Sequence, residues 1–351
     1  MSSEKSFEIY SADDLRKFCI ACFLKSGVPE QDAELIADHL VSANLRGVDS
    51  HGVIRLPYYL EGMERGLVKP KAEIKVMRET PFSALIDGGQ GLGIVVADKA
   101  ADLAVSKARS TGIGLIGVRN LGHVGMLAYY AIKIANEKFI GFVCANCPSA
   151  VAPWGGMERL FGTNPLSIGI PAGKWGSIII DMATSAIAEF KIHVAMRQGK
   201  QLPPGAALDK DGNPTVDPKA ALEGCLLPFG EYKGYAFSLL VEVLANAFVG
   251  GPMSKEIVHH PSTQGGFLVA ALDPSLFRDY QEFEKDLLKI IDTVKNCKLA
   301  RTASVILLPG EKENNIYAIR RRQGIPIDAE TLKFLRRIAE RLDIQFPKKL
   351  A

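Results

Sequence analysis

The sequence predicts an α+β fold in which helices from both ends bracket a central region of strands and helices, and which is not a Rossmann fold. Three observations lead there. Apolar residues recur at helical spacing over residues 11–46 and again near the C-terminus. Between them lie short β-branched or alternating runs separated by helical stretches. The match to G-x-G-x-x-G, "GIGLIG" from Gly112 to Gly117, follows a helical run and sits inside a strand-like one. A dinucleotide turn needs the strand first and the helix after it, so that the pyrophosphate meets a helix N-terminus.

The N-terminal part, residues 1–75, reads as helical. "SADDLRKFCIACFLKSG" opens on Ser11 as N-cap, carries acids in its first turn and stops at Gly27. "PEQDAELIADHLVSANLRG" starts with Pro29 near N1 and stops at Gly47. "VIRLPYYLEGMERG" predicts a third, shorter helix.

The central part, residues 76–272, alternates. Near its start "EIKVMRET" and "SALIDGG" are strand-like, and "VVADKAADLAVSKARSTG" is helical. "IGLIGVRN" predicts a strand, "HVGMLAYYAIKIANEK" a helix, and "FIGFVCANC", "LSIGIP" and "SIIIDMAT" strands. "PPGAALDKDGNPTVDP" is a polar, turn-rich loop. "GYAFSLLVEVLANAFVGG" predicts a long buried helix closed by glycines, and "GGFLVAALD" a strand. In the C-terminal part, residues 273–351, an amphipathic helix "PSLFRDYQEFEKDLLKIIDTVKNC" is followed by a strand near 304–309 that returns to the sheet. "DAETLKFLRRIAERLDI" is helical, with Asp328 as N-cap.

Composition narrows the function classes. With 351 residues, 47% hydrophobic and 23% charged, the chain can bury a core without staples. A net charge of +3, with both signs mixed along the chain, gives no nucleic-acid footprint. No apolar run approaches the roughly 18 residues of a membrane span, and the first residues lack a signal peptide's apolar core. The expectation is a cytoplasmic protein with no membrane or nucleic-acid partner. Cys19/Cys22 and Cys144/Cys147 form C-x-x-C pairs, but the first lies on an apolar helical face and the second runs into a Pro/Gly loop. Neither context suits zinc or thiol redox chemistry, and no metal site is expected.

Polar residues collect in Gly/Pro-flanked turns. His51 lies between Ser50 and Gly52, four residues before Arg55; a titrating ring next to a cation suits chemistry on a small carboxylate. His123 lies between Gly122 and Gly125, just before a predicted helix. Thr163 and Asn164 are donors in a Gly/Pro-dense turn. Asp181, Thr184 and Ser185 end an apolar strand, where a turn can hold an anion on backbone N–H groups. Lys233 precedes the long apolar helix as a candidate phosphate or ribose contact.

"SHGVIRLP", "RNLGHVG", "APWGG…LFGTNPLSIGIP", "DMATSAIA.FK", "LPPGAALDKDGNPTVDP" and "LPFGEYKGY" occur in that order. On these motifs, from about residue 6 to about residue 345, the chain resembles the type 2 malate/L-lactate dehydrogenase family. The resemblance implies a central mixed β-sheet domain bracketed by the terminal helices, and a homodimer or higher oligomer that binds NAD or NADP near the subunit interface. It implies hydride transfer between NAD(P)(H) and a 2-hydroxy/2-oxo acid of malate, lactate or sulfolactate type. The alternatives are cyclic-imine reduction on the same scaffold, or a non-catalytic nucleotide-binding dimer. By the same resemblance His51 and His123 are the acid/base candidates and Ser50, Arg55, Thr163 and Asn164 the substrate contacts. Cofactor contacts carry over to Cys147, Asp181, Met182, Ala183, Thr184, Lys233, Pro309, Gly310 and Glu311. Three positions depart from the family pattern: Phe190 and Ala236 stand where glycine is usual, and Val124 where an aromatic is usual.

Overall fold

A computed structural model describes residues 7–197 and 199–350. Strand β1 (Phe7–Tyr10) leads into helices α1 (Ala12–Lys25), α2 (Glu30–Leu45) and α3 (Leu56–Glu64). Ser11 caps α1 by accepting the Asp14 N–H, and Asp13 and Asp14 complement the helix dipole. Pro29 is the N-cap of α2 rather than its first helical residue. Strands β2 (Lys75–Glu79) and β3 (Ser83–Gly91) are followed by α4 (Gly93–Thr111), β4 (Ile113–Leu121), α5 (Ala128–Asn136), β5 (Ile140–Ala145), β6 (Leu166–Pro171) and β7 (Ser177–Met182). Next come α6 (Glu189–Arg197), β8 (Ala207–Leu208), β9 (Pro214–Thr215), α7 (Pro218–Glu223), β10 (Cys225–Leu226) and α8 (Tyr232–Glu242), which runs on as a π-helical turn, Val243–Phe248. Strand β11 (Phe267–Leu272), α9 (Tyr280–Lys295), α10 (Glu311–Gln323), β12 (Ile325–Asp328) and α11 (Ala329–Leu342) complete the chain. Asp328 caps α11 by accepting two N–H groups.

The central sheet is mixed, in the order β2-β3-β4-β11-β5-β6-β7. Only β3 and β4 pair in parallel; α4 makes the crossover between them. Helices α4 and α5 bury one face against Ile116, Val118, Val143 and Val269. Val241 of α8 and Val249 cover Cys144, Leu166 and Leu268 on the other. Gly112 and Gly114 serve packing here, not a pyrophosphate. Gly112 closes α4 at φ +80°, and a Cβ on Gly114 would stand 1.8 Å from Ala104 O. A second core, with Leu15, Phe18, Leu40, Leu56 and Leu335, joins α1, α2, α3 and α11. Cys19 and Cys22 are buried in it as small hydrophobes, and desolvation pushes the Cys22 thiol up to about 12. Strands β1 and β12 pair antiparallel and tie the two ends of the chain together. Among the described residues no helix is long and apolar enough to cross a membrane.

Three expectations need correction. The helix predicted from His123 begins at Ala128, because Gly125 adopts φ +71°, outside helical space. Residues 304–309 form no strand; the Ile179 N–H of edge strand β7 donates to Pro309 O at 3.0 Å. The long helix expected to be buried is buried on one side only: Val241 and Glu242 are buried, but Phe237, Leu240, Val243 and Phe248 are 41%, 46%, 47% and 62% exposed.

Candidate active site

After α2, Gly47 (φ +77°) turns the chain into the His51 loop. Asp49–His51 form a 3₁₀ turn, Gly52 is extended, and Val53–Arg55 form a second 3₁₀ turn. Gly52 is required there, since a Cβ would stand 2.1 Å from Asn44 Oδ1. That oxygen accepts the Val53 N–H at 2.8 Å, while Asn44 Nδ2 donates to Asp49 at 2.7 Å. Arg320, on α10, grips both Asp49 carboxylate oxygens at 2.6 and 3.1 Å. So the loop is pinned from both sides. Arg55 is not simply one helical turn beyond His51; it folds back across the break, its Nε donating to Ser50 O at 2.7 Å. Ser50 Oγ lies 3.0 Å from His51 Nδ1. Among the described residues no carboxylate forms an ion pair with Arg55.

His123 arrives from β4. Gly122 bridges Thr263, and the His123 N–H donates to Ser262 O at 2.8 Å. The Gly125 N–H donates to His123 Nδ1 at 3.3 Å, and the Tyr59 hydroxyl lies 2.7 Å from the same nitrogen. A backbone N–H can only donate, so Nδ1 accepts and the neutral ring carries its proton on Nε2. The two imidazoles stack, with centroids 5.6 Å apart and planes within 20°. Behind them His39 is fully buried, and its Nε2 accepts the Met126 N–H at 2.8 Å. Burial lowers the His51 ring to about 3, helped by the Arg55 charge, and holds His123 well below its ordinary value by the same two causes.

The other group is connected to this one through backbone and amides. Gln264, next to Thr263, donates to Asn146 O and, at 3.3 Å, to Cys147 Sγ. The Cys147 N–H donates to Asn164 Oδ1 at 3.1 Å. Asn164 is fully buried, and its Nδ2 donates to Ser238 O and to Glu242. Its amide is therefore engaged by the protein, and it frames the Cys147 turn instead of presenting a free group to substrate. Thr163 O accepts both the N–H and the hydroxyl of Thr184, at 2.9 and 3.0 Å. Gly234 fits against this turn; a Cβ there would lie 2.3 Å from Phe229 O and 2.9 Å from Thr184 O. Lys233 beside it is exposed and has no ion pair among the described residues. Asp181 is exposed at the end of β7, with Met182 and Ala183 partly exposed after it. Pro309 and Gly310 dock on β7 at Ile179. The Glu311 carboxylate, by contrast, is tied to Lys295 at 2.8 Å and accepts the Leu308 N–H, which lowers its pKa and engages it in holding the 308–311 turn.

Of the departures from pattern, Ala236 is exposed on α8 and Val124 is buried in the sheet core, while Phe190 is half-buried in α6. Tyr59, Asn44, Asp49, Arg320, Gln264 and Glu242 escaped the sequence reading. Tyr59 reads as an apolar helix residue in "LPYYL", and no spacing rule links the others.

Residues 10–336 match the family model described as malate/L-lactate dehydrogenase. The L-sulfolactate dehydrogenase of Methanocaldococcus jannaschii is 39% identical over 339 residues, covering 96% of this chain and 98% of that one. The malate dehydrogenase of Pyrococcus horikoshii is 39% identical over 346 residues, 95% of each. The crystal structure of malate dehydrogenase from Entamoeba histolytica, 30% identical, superposes with a TM-score of 0.93 over 98% of this chain and 100% of that one.

Proposed function

The chain belongs to the malate/L-lactate dehydrogenase family and is a hydroxy-acid oxidoreductase; from that premise we propose that it moves a hydride between NAD or NADP and a 2-oxo acid of malate or sulfolactate type. The observation that carries the proposal is the stacked His51–His123 pair beside an arginine without a carboxylate partner. The cyclic-imine alternative draws less support from relatives named for hydroxy acids.

The residues present fit a dinucleotide. Lys233 offers an exposed, unpaired cation for a phosphate, and Asp181 an exposed carboxylate for a ribose hydroxyl. Cys147, Met182, Ala183 and Thr184 would line the same stretch, with the Pro309–Gly310 turn against β7 beyond them. The nicotinamide supplies the hydride when bound. Arg55, with its Nε fixed on Ser50 O, keeps its two terminal nitrogens for a substrate carboxylate. His51 gives the carbonyl oxygen its proton in reduction and takes it back in oxidation, held by Ser50; Thr163 completes the substrate contacts. His123, its tautomer set by Tyr59 and Gly125, stacks on His51 and supports the transfer. Burial is the main cause that keeps both rings neutral, and a carboxylate against Arg55 offsets the second, the guanidinium charge, returning part of their basicity where the proton is needed. The exposed apolar row Phe237, Leu240, Val243 and Phe248 supports a homodimer closed over α8.

Turnover of oxaloacetate, pyruvate and sulfopyruvate with each cofactor, together with NADH fluorescence titration of the chain and of Lys233→Ala, tests the reading. We expect turnover of at least one acid, and weaker cofactor binding in Lys233→Ala by about 1.5–3 kcal/mol, the worth of a charge-assisted bond. Cofactor binding without any turnover would point instead to a nucleotide-binding role.

A further inference from the structure

Glu242 has no part in the chemistry above, yet it is a carboxylate buried to 5% exposure in the last turn of α8. Its Oε1 accepts from Asn146 Nδ2 at 3.2 Å and from the Ser254 N–H at 2.7 Å. Its Oε2 accepts from Asn164 Nδ2 at 2.9 Å and from Ser254 Oγ at 2.6 Å. No cation is among these partners. Four hydrogen bonds on two oxygens, two of them from groups that can only donate, the Ser254 N–H and the Asn164 amide, leave no place for an amide NH2 at this position. A polar group so deeply placed is retained only if its bonds are complete.

The donors come from three segments far apart in the chain. Asn146 precedes Cys147, Asn164 follows Thr163, and Ser254 follows the π-helical turn. Asn146 also fixes the segment that leads to the His123 partner: its Oδ1 accepts the Gly266 N–H at 2.7 Å, and a Cβ on Gly265 would stand 2.1 Å from that oxygen. Asn164 passes the constraint on, because its Oδ1 holds the Cys147 N–H.

We propose that Glu242 is a positioning residue, whose carboxylate sets the Cys147 and Thr163–Asn164 turns relative to each other and thereby sets affinity for the nicotinamide cofactor. The inference rests on the reading that those turns contact the cofactor.

The test compares Glu242→Gln and Ser254→Ala with Leu335→Ala, a core deletion in α11 away from the site. NADH dissociation constants, cofactor KM, kcat at saturating cofactor and thermal midpoints are measured on the full chain. Glu242→Gln leaves a buried donor unmatched and should raise the NADH dissociation constant and cofactor KM about tenfold, with kcat within about threefold. Ser254→Ala removes one bond of four and should raise the constant about threefold. Leu335→Ala should lower the midpoint and leave the constant unmoved. Constants within about twofold of the unmodified chain in both site variants, whatever their midpoints, would overturn the proposal; should Glu242→Gln not fold, Ser254→Ala decides alone. If the unmodified chain binds neither NADH nor NADPH, the cofactor reading itself fails, an outcome distinct from equal binding by all variants.

Discussion

Around His51 and His123, one or two neutral hydrogen bonds hold each ring, and beside them lies a cation bonded to a carbonyl but to no carboxylate among the described residues. Around Cys147 and Asn164, the amides and the Ser254 hydroxyl are engaged by the protein, and the centre is the Glu242 carboxyl group with four hydrogen-bond partners. One region keeps valences open and the other closes them. Open valences at a desolvated site cost stability unless a ligand completes them, so they mark where chemistry is done. Closed networks fix geometry and are silent in the reaction itself.

The sharpest way to break this contrast is to remove a titrating proton. His51→Asn keeps a polar side chain and should cost about 10²–10⁴-fold in turnover, the usual worth of general acid–base catalysis, with cofactor binding nearly intact. His123→Asn is its partner experiment. If that variant loses turnover while His51→Asn falls less than tenfold, the proton donor is His123 and the roles exchange.

A smaller effect is expected at the cation. Arg55→Lys keeps the charge but loses the planar fork, so kcat/KM for any 2-oxo acid should fall about 10–100-fold, equivalent to a charged hydrogen bond of about 1.5–3 kcal/mol. Full efficiency in that variant would mean that the carboxylate is held elsewhere.

The effect furthest from the chemistry is on stability in acid. Burial lowers His39 to about 3, against 6.5 in the unfolded chain. Between those values the unfolded chain binds a proton that the folded chain refuses. Stability conferred by neutral His39 is therefore present above about pH 6.5 and is lost as pH falls toward 3, by about 1.4 kcal/mol per pH unit. Chemical denaturation from pH 7 to 4 should show a steeper slope, because His51 and His123 are lowered by burial too, and His39→Gln should flatten it by about one proton.

Much of this was legible beforehand, for reasons that differ by element. Helices α1 and α11 announce themselves through Ser11 and Asp328 and an apolar stripe. His51 and His123 stand out because each sits among glycines in a polar turn. Strands β1 and β12 could not be read: each has four residues, and each is defined by a partner at the other end of the chain. Helix α10, "EKENNIYAIRRRQ", has no buried residue to give it a stripe, and is held instead by side-chain bonds such as Arg46 to Asn314. The exposed side of α8 looks apolar in the sequence whether it meets a sheet or a second subunit. Glu242 was invisible because its four donors lie at residues 146, 164 and 254, and only the fold makes them neighbours.

The clamp of Arg320 on Asp49 spans 271 residues of sequence. During synthesis the His51 loop leaves the ribosome first and waits for that arginine. At about 5–20 residues per second the wait is roughly 15–55 s. In that interval α1 and α2 can pair, but the His51 turn lacks its outer brace. The order of translation thus delays the bracing of this loop until the chain is nearly whole, a delay written into which end of the polypeptide supplies the guanidinium.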